Sequence, residues 1–372
     1  MRKIKSIKKI RRDLVKALDK KINVNKDRIS IYGAGNSSQL AEESFILENI
    51  KPLYFIDNYN SNSNFVMNIP IITYEDAKSI CKNSTILVCS GNEKTCRSIL
   101  KMINDDPIEG TNVYLYDEYV FIKNKEKIIN NFDLLVDDLS KRTYANMILS
   151  RMLIEKQNYD LVVNNQYFAI PSFSLNNTNE VFVDCGSFVG DTIEEYLFIK
   201  EGIFNKIYSF EPEHKNYLAL SNRTDRLKKE WALSDNKIEL YECGLGESEF
   251  ITSIRQVSND GPSLGSSISN IDNFSSEGGY IRINTLNSIF EKQRVSFIKA
   301  DVESYEKRIL IGGTKIIKRD IPRLAICIYH NATDMYDIID YIRNTLGYNK
   351  LYIRQHEYTF AETVLYAEMN DN

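Results

Sequence analysis

Six cysteines are present (Cys81, Cys89, Cys96, Cys185, Cys243, Cys327), but no two of them stand in a C-x-x-C pair. Most lie in apolar runs such as ILVC, LAIC and VFVDC. They read as buried reduced thiols, so neither a disulfide framework nor a zinc module is expected. The chain also lacks any apolar run of about 18 residues, and with it a membrane span. No signal-peptide core is found, which makes cytoplasmic the expected location. Beyond the first residues acidic side chains outnumber basic ones. Residues 1–28 hold twelve Lys or Arg against three Asp, a net of +9, so the overall −4 leaves −13 on the remainder. A body that acidic is a poor partner for nucleic acid, whose binding rests on neutralised phosphates.

What is present is enough for two globular domains, since 372 residues at 43% apolar exceed one ordinary core. Residues 1–27 form a basic amphipathic helix, with Ile4, Ile7, Leu14 and Leu18 at helical spacing. Packing on the protein's own body or on a sister subunit is the preferred reading. That leaves open a homo-oligomer and a weak peripheral contact with an anionic membrane. Residues 28–116 alternate strand and helix, as a Rossmann-like parallel sheet of about five strands does. Residues 117–177 read as a helical bridge. Alternation restarts in 178–372 with seven strands, the last one antiparallel in a hairpin. Within it, 249–284 is a Ser/Gly/Asn-rich excursion whose SNDGPSLGSSISN segment reads as a mobile loop. The fold class is α/β, with two doubly wound Rossmann-like domains.

The chemistry concentrates at strand ends. After EVFVDC comes Asp184-Cys185-Gly186-Ser187-Phe188-Val189-Gly190-Asp191. Its glycines permit a tight turn and close backbone approach to a ligand, and the following helix offers its N-terminal N–H groups. Glu211, in SFEP, ends the next strand, where a carboxylate can accept both ribose hydroxyls of a nucleoside cofactor. Asp184 would repel a pyrophosphate but suits the ammonium of a methionine, which favours S-adenosylmethionine over a dinucleotide. Ser187, Asp191, Pro212 and Gly244 complete the expected cofactor set. Asp301, in KADVESYE, ends the fourth strand, and His330, in IYHN, ends the fifth. One of them should take the acceptor's proton, and an imidazole at a crevice edge suits that task near pH 7. Glu303 and Ser267 are expected at the acceptor. Asp301, Glu303 and His330 also offer the oxygens and imidazole a manganese-like ion accepts, but the reading adopted is no metal. His214 and His356 read as surface or structural residues.

Taken in order, VFVDCGSFVGDT, YSFEP, FIKADVESYE, LAICIYH and LYIRQHEYTFAETVLYA make residues 178–372 resemble the FkbM family of methyltransferases. The resemblance implies the seven-stranded methyltransferase fold, S-adenosylmethionine as donor, and O-methylation of sugars, glycan precursors or related small metabolites. It would place Asp184, Gly186 and Gly190 at the methionine part and Glu211 at the ribose. Two residues depart from the family's pattern: Ser304 stands where glycine is usual, and Asn287 where an aspartate near the active site is usual. The N-terminal Gly33-Ala34-Gly35-Asn36 with Asp57 resembles a dinucleotide fingerprint short of its third glycine, and reads as a scaffold. Two other functions compete. One is a nucleotide-sugar-binding regulatory protein with an inactive methyltransferase-like half, which the complete set around Asp184 and Glu211 opposes. The other is an NAD-dependent oxidoreductase using residues 33–57, which the missing Tyr-x-x-x-Lys signature opposes.

Overall fold

Short apolar runs between polar turns become strands throughout the chain. The computed structural model describes residues 5–35, 37–38, 41–59, 65–255, 267–268, 280–358 and 361–369, with backbone alone for 253–255 and 267–268. Two units separate: Met1–Leu161 with Asn331–Tyr336 and Tyr358–Phe360, and Val162–His330 with Asp337–Glu357 and Ala361–Asn372. Among the described residues no helix is long and apolar enough to cross a membrane.

In the first unit, helix α1 (Ile7–Leu18) is capped by the Ser6 hydroxyl, which accepts from Lys9 N. Strands β1 (Ile29–Tyr32), β2 (Pro52–Ile56), β3 (Phe65–Val66), β4 (Ile69–Ile72), β5 (Thr85–Val88) and β6 (Asn112–Leu115) form one sheet, ordered β3-β4-β2-β1-β5-β6. All neighbours are parallel except β3 and β4. The strand beyond the expected five is β3, two residues long and turned back by Met67 and Asn68, both at positive φ. Helices α2 (Glu42–Leu47), α3 (Tyr74–Ile80) and α4 (Glu93–Asp105) connect the strands, and α5 (Tyr116–Lys123), α6 (Lys125–Leu134) and α7 (Asp138–Arg151) follow. Helix α1 lies on α6 and α7, burying Leu14 and Leu18. Its cations, and Lys5 just before it, pair with acids of the same unit, as Arg11–Asp133 at 2.6 Å and Lys5–Glu155 at 2.5 Å. The buried leucines of α1 thus face its own unit. The expected fingerprint is only partly described, because Asn36 lies outside the described residues. In what is described, Asp57 accepts from Ala34 N at 2.9 Å.

The second unit is built on a seven-stranded sheet. Strands β7 (Val181–Cys185), β8 (Lys206–Phe210), β9 (Ile238–Tyr241), β14 (Phe297–Ala300), β15 (Arg323–Cys327), β16 (Lys350–Gln355) and β17 (Thr363–Glu368) are ordered β16-β17-β15-β14-β7-β8-β9. All pairs are parallel except those made by β17, which is antiparallel to β15 and β16 as the terminal hairpin requires. The chain winds from β7 toward β9 on one side and from β14 toward β15 on the other. The switch point, where open sheets of this kind bind ligands, therefore lies between β7 and β14. The excursion between them supplies β10 (Gly244–Leu245), β11 (Phe250–Arg255), β12 (Ser267–Ile268) and β13 (Tyr280–Asn284), a small separate sheet. Most of SNDGPSLGSSISN lies outside the described residues.

Helix α8 (Asp191–Ile199) is fixed against β7 by Tyr196, whose ring stacks on Phe182 at 4.6 Å and whose hydroxyl donates to buried Glu180 at 2.8 Å. Helix α9 (His214–Glu230) follows β8. The single helix expected over Glu306–Arg319 is instead two, α10 (Glu306–Gly312) and α11 (Thr314–Asp320). The break falls where Gly312 passes so close to Gly246 that a Cβ would stand 1.9 Å from the Gly246 carbonyl oxygen.

Candidate active site

A cleft of about 320 Å³ opens at the switch point, entirely within the second unit. Its first group of lining residues comes from the β7–α8 turn and the end of β8. Gly186 stands at φ +80°, and a Cβ there would lie 2.0 Å from the Asp301 carbonyl oxygen, so only glycine fits. Gly190, at φ +84°, precedes α8, whose Asp191 and Glu195 line the cleft. Burial and then Asp191 push the Glu195 carboxyl up to about 7. Glu211, 6% exposed, accepts from Phe188 N and from Glu213 N, each at 2.9 Å. Burial outweighs these hydrogen bonds and lifts its carboxyl to about 7. Pro212 and Gly244 also line the cleft.

Three of the expected cofactor residues lie behind this surface. Ser187 is buried and donates to the Asp184 carbonyl at 3.0 Å, and Gly190 shapes the turn from outside the lining. Asp184 is wholly enclosed and does not reach the cleft. Lys299 stands opposite it in strand register, with Nζ 3.0 Å from Oδ1. The same ammonium donates to the Gly186 carbonyl at 2.6 Å, so the pair clamps the glycine turn from below. Burial pushes the Asp184 carboxyl up and Lys299 opposes it.

The second group surrounds Asp301. Its carboxylate accepts from the Tyr167 hydroxyl at 2.7 Å and the Tyr329 hydroxyl at 3.3 Å. Burial alone would raise this carboxyl, but His330, Lys299 and the Tyr167 hydroxyl outweigh it and hold it below the ordinary range. Glu303 and Glu362 line the cleft beside it, Glu362 accepting from Gln166 and, at 3.4 Å, from Tyr329. His330 does not emerge at the crevice edge as expected. Its side chain is 3% exposed, with Nδ1 3.1 Å from Glu306 and Nε2 3.5 Å from both Asp301 and Glu303. Burial would lower its pKa, but Glu306, Glu303 and Asp301 overcome that and raise it to about 10. His330 is not among the residues lining the cleft, so it does not meet an acceptor hydroxyl there.

Other expectations resolve differently. Asn287 is not near the cleft chemistry: its Oδ1 accepts from Lys315 N and Ile316 N, both at 3.1 Å, and so caps α11. Ser304 adopts φ +79°, the conformation for which glycine is the usual residue. The backbone of Ser267 lies in β12, and its side chain is outside the described residues. His214 is exposed beside Glu242, and His356 bridges the Val163 carbonyl and Tyr366. Sequence reasoning gave no role to Gln166, Tyr167, Glu195, Lys299, Tyr329 and Glu362. Lys299 and Glu362 lay inside quoted motifs, whereas Gln166 and Tyr167 carried no signal.

Residues 184–353 match the model of the methyltransferase FkbM domain. Among solved structures, the chain is similar to the methyltransferase FkbM from Methylobacillus flagellatus KT, at 18% identity and a TM-score of 0.58, covering 97% of this chain and 99% of that one. The likeness establishes a common fold. It also aligns with an rRNA methylase from Streptococcus thermophilus at 14% identity and a TM-score of 0.32, covering 52% of this chain and 90% of that one. A search of curated proteins found no match.

Proposed function

We propose, taking residues 184–353 as a methyltransferase FkbM domain, that the protein is an S-adenosylmethionine-dependent O-methyltransferase acting on a hydroxyl of a sugar, glycan precursor or related small metabolite. One observation carries the reading. Glu211 ends β8 with each oxygen held by a backbone N–H, leaving further lone pairs for the two hydroxyls of a ribose. Beside it runs a turn that Gly186 keeps bare. The cleft volume, about 320 Å³, falls in the range of small-molecule sites, so the residues present fit such a donor.

When bound, S-adenosylmethionine supplies a methyl group activated by its sulfonium. Glu211, Pro212 and Gly244 would hold its nucleoside. With Asp184 engaged by Lys299, the carboxylates left near the turn for a methionine ammonium are Asp191 and Glu195. Asp184 then serves indirectly, through the Lys299 clamp on Gly186. On the acceptor side, the Tyr167 and Tyr329 hydroxyls orient Asp301. Asp301 takes the acceptor's proton as the methyl group arrives, a contribution of about 10²–10⁴-fold. His330 stands behind it, with Nε2 3.5 Å from the carboxylate. Among the described lining residues Lys299 is the single cation, already committed to Asp184 and the Gly186 carbonyl. A wall of Asp301, Glu303 and Glu362 suits the hydroxyls of a neutral polyol and disfavours a phosphate at the reacting end.

Calorimetric titration of the full chain with the donor and its demethylated product tests the reading. Binding should be micromolar, about −8 kcal/mol, and Glu211→Ala should weaken it by about 1.5–3 kcal/mol. Absence of heat for both ligands with folded protein would overturn the proposal.

A further inference from the structure

Three side chains of metal-binding type converge beneath the acceptor wall: Asp301 after β14, Glu306 at the start of α10 and His330 after β15. One ligand atom of each lies within 4.8 Å of the others. Atoms bound about 2.1–2.3 Å from a single ion stand about 3–4.5 Å apart, so little movement would close a coordination shell. Carboxylates gathered together are no site by themselves, and two buried groups make the difference here. Neither ring nitrogen of His330 makes a hydrogen bond, although the side chain is only 3% exposed and the approaching carboxylates lie at 3.1–3.5 Å. Glu306, 0% exposed, has Oε1 pinned by Val302 N at 2.8 Å and Oε2 without any hydrogen-bond partner. Buried polar atoms of this kind are nearly always satisfied in native proteins.

The charges point the same way. Asp301, Glu303 and Glu306 bring three negative charges against one imidazole, while the neighbouring Lys299 is paired with Asp184. We propose that Asp301, Glu306 and His330 bind one divalent cation of the manganese type, with Glu303 flanking it. Manganese takes carboxylate oxygens as magnesium and calcium do, and accepts an imidazole among them more readily than either. Asp301 and Glu303 also line the cleft, so the ion would lie within reach of any hydroxyl admitted there. This proposal departs from the sequence expectation of no metal. The inference rests on the donor atoms and does not depend on methyl transfer.

The test uses the full chain, stripped with EDTA and titrated with manganese chloride alone, without methyl donor or acceptor. Loss of the paramagnetic resonance signal of free aqueous Mn²⁺ reports binding. The expected result is one ion per chain. Glu306→Gln and His330→Gln should each weaken binding at least tenfold, while Glu242→Gln, at an exposed carboxylate elsewhere, leaves it unchanged. Manganese should also raise the melting temperature of the wild-type chain, a readout that survives if either variant fails to fold. Folded wild type that neither binds the ion nor melts higher in its presence overturns the proposal, as does undiminished binding in both folded variants. Either outcome leaves the calorimetric test of the donor site untouched.

Discussion

Replacing Glu211 by Gln should make the protein more stable above neutral pH and less stable in acid, while weakening its donor site. In the native state burial holds this carboxyl at about 7, against an ordinary value of 4.5. Between those values the native chain keeps a proton that the unfolded chain releases. Stability from this group is therefore greatest below pH 4.5, falls as pH rises, and levels off above 7. The full span is worth about 3 kcal/mol, taken as an upper figure. Gln carries no such charge, but its amide nitrogen cannot accept from both Phe188 N and Glu213 N, which forfeits about 1 kcal/mol. The variant should thus be about 1–2 kcal/mol more stable at pH 8, about equally stable at pH 5, and about 1 kcal/mol less stable at pH 4 and below. Urea unfolding followed by the fluorescence of Trp231 reads this cleanly, since it is the chain's only tryptophan and packs against the core of the same unit. Calorimetry on the same samples should show donor affinity reduced at least tenfold. Equal destabilisation at pH 8 and pH 4 would refute the reasoning, because it would mean the native carboxyl is as readily ionised as an exposed one.

Gly186→Ala forces a Cβ onto the Asp301 carbonyl at an unfavourable φ, and should cost about 3 kcal/mol or more in urea unfolding. Lys299→Met strands the Asp184 carboxylate without its cation, at about 3–5 kcal/mol, and adding Asp184→Asn should recover most of that. A single variant costing less than about 1 kcal/mol would show that the pair does not hold the turn. Asn287→Ala should lose about 1 kcal/mol through the uncapped α11 while donor affinity in calorimetry stays unchanged. A tenfold loss of affinity there would return Asn287 to the cleft.

The seven strands of the second unit were legible because each is an apolar run closed by turn residues, and the period of that pattern is local. Glu211 was legible for the same reason, as a carboxylate closing a buried strand. Which way a side chain turns at a strand end is not local. Asp184 looked like a cofactor ligand until strand register set Lys299 opposite it. His330 follows its strand by three residues, and its neighbours Glu303 and Glu306 come from a different element, so its burial and charge could not be read from its own surroundings. The break between α10 and α11 falls where Gly312 meets Gly246, 66 residues earlier, a contact no helical periodicity records. Tyr167 meets Asp301 across 134 residues of sequence.

Gly186 has a consequence beyond its own turn. The carbonyl of Asp301 sits where any other residue would place its Cβ, so the β7–α8 turn and Asp301 share one backbone contact. Lys299 fastens the same turn from beneath. On the proposed reading, a donor that presses Gly186 toward Asp301 on entering bears on the acceptor's carboxylate, and an acceptor that presses Asp301 back bears on the donor's turn. Ligands bound on the two sides of this contact would then be thermodynamically linked. By whatever factor the donor changes the acceptor's affinity, the acceptor must change the donor's by the same factor.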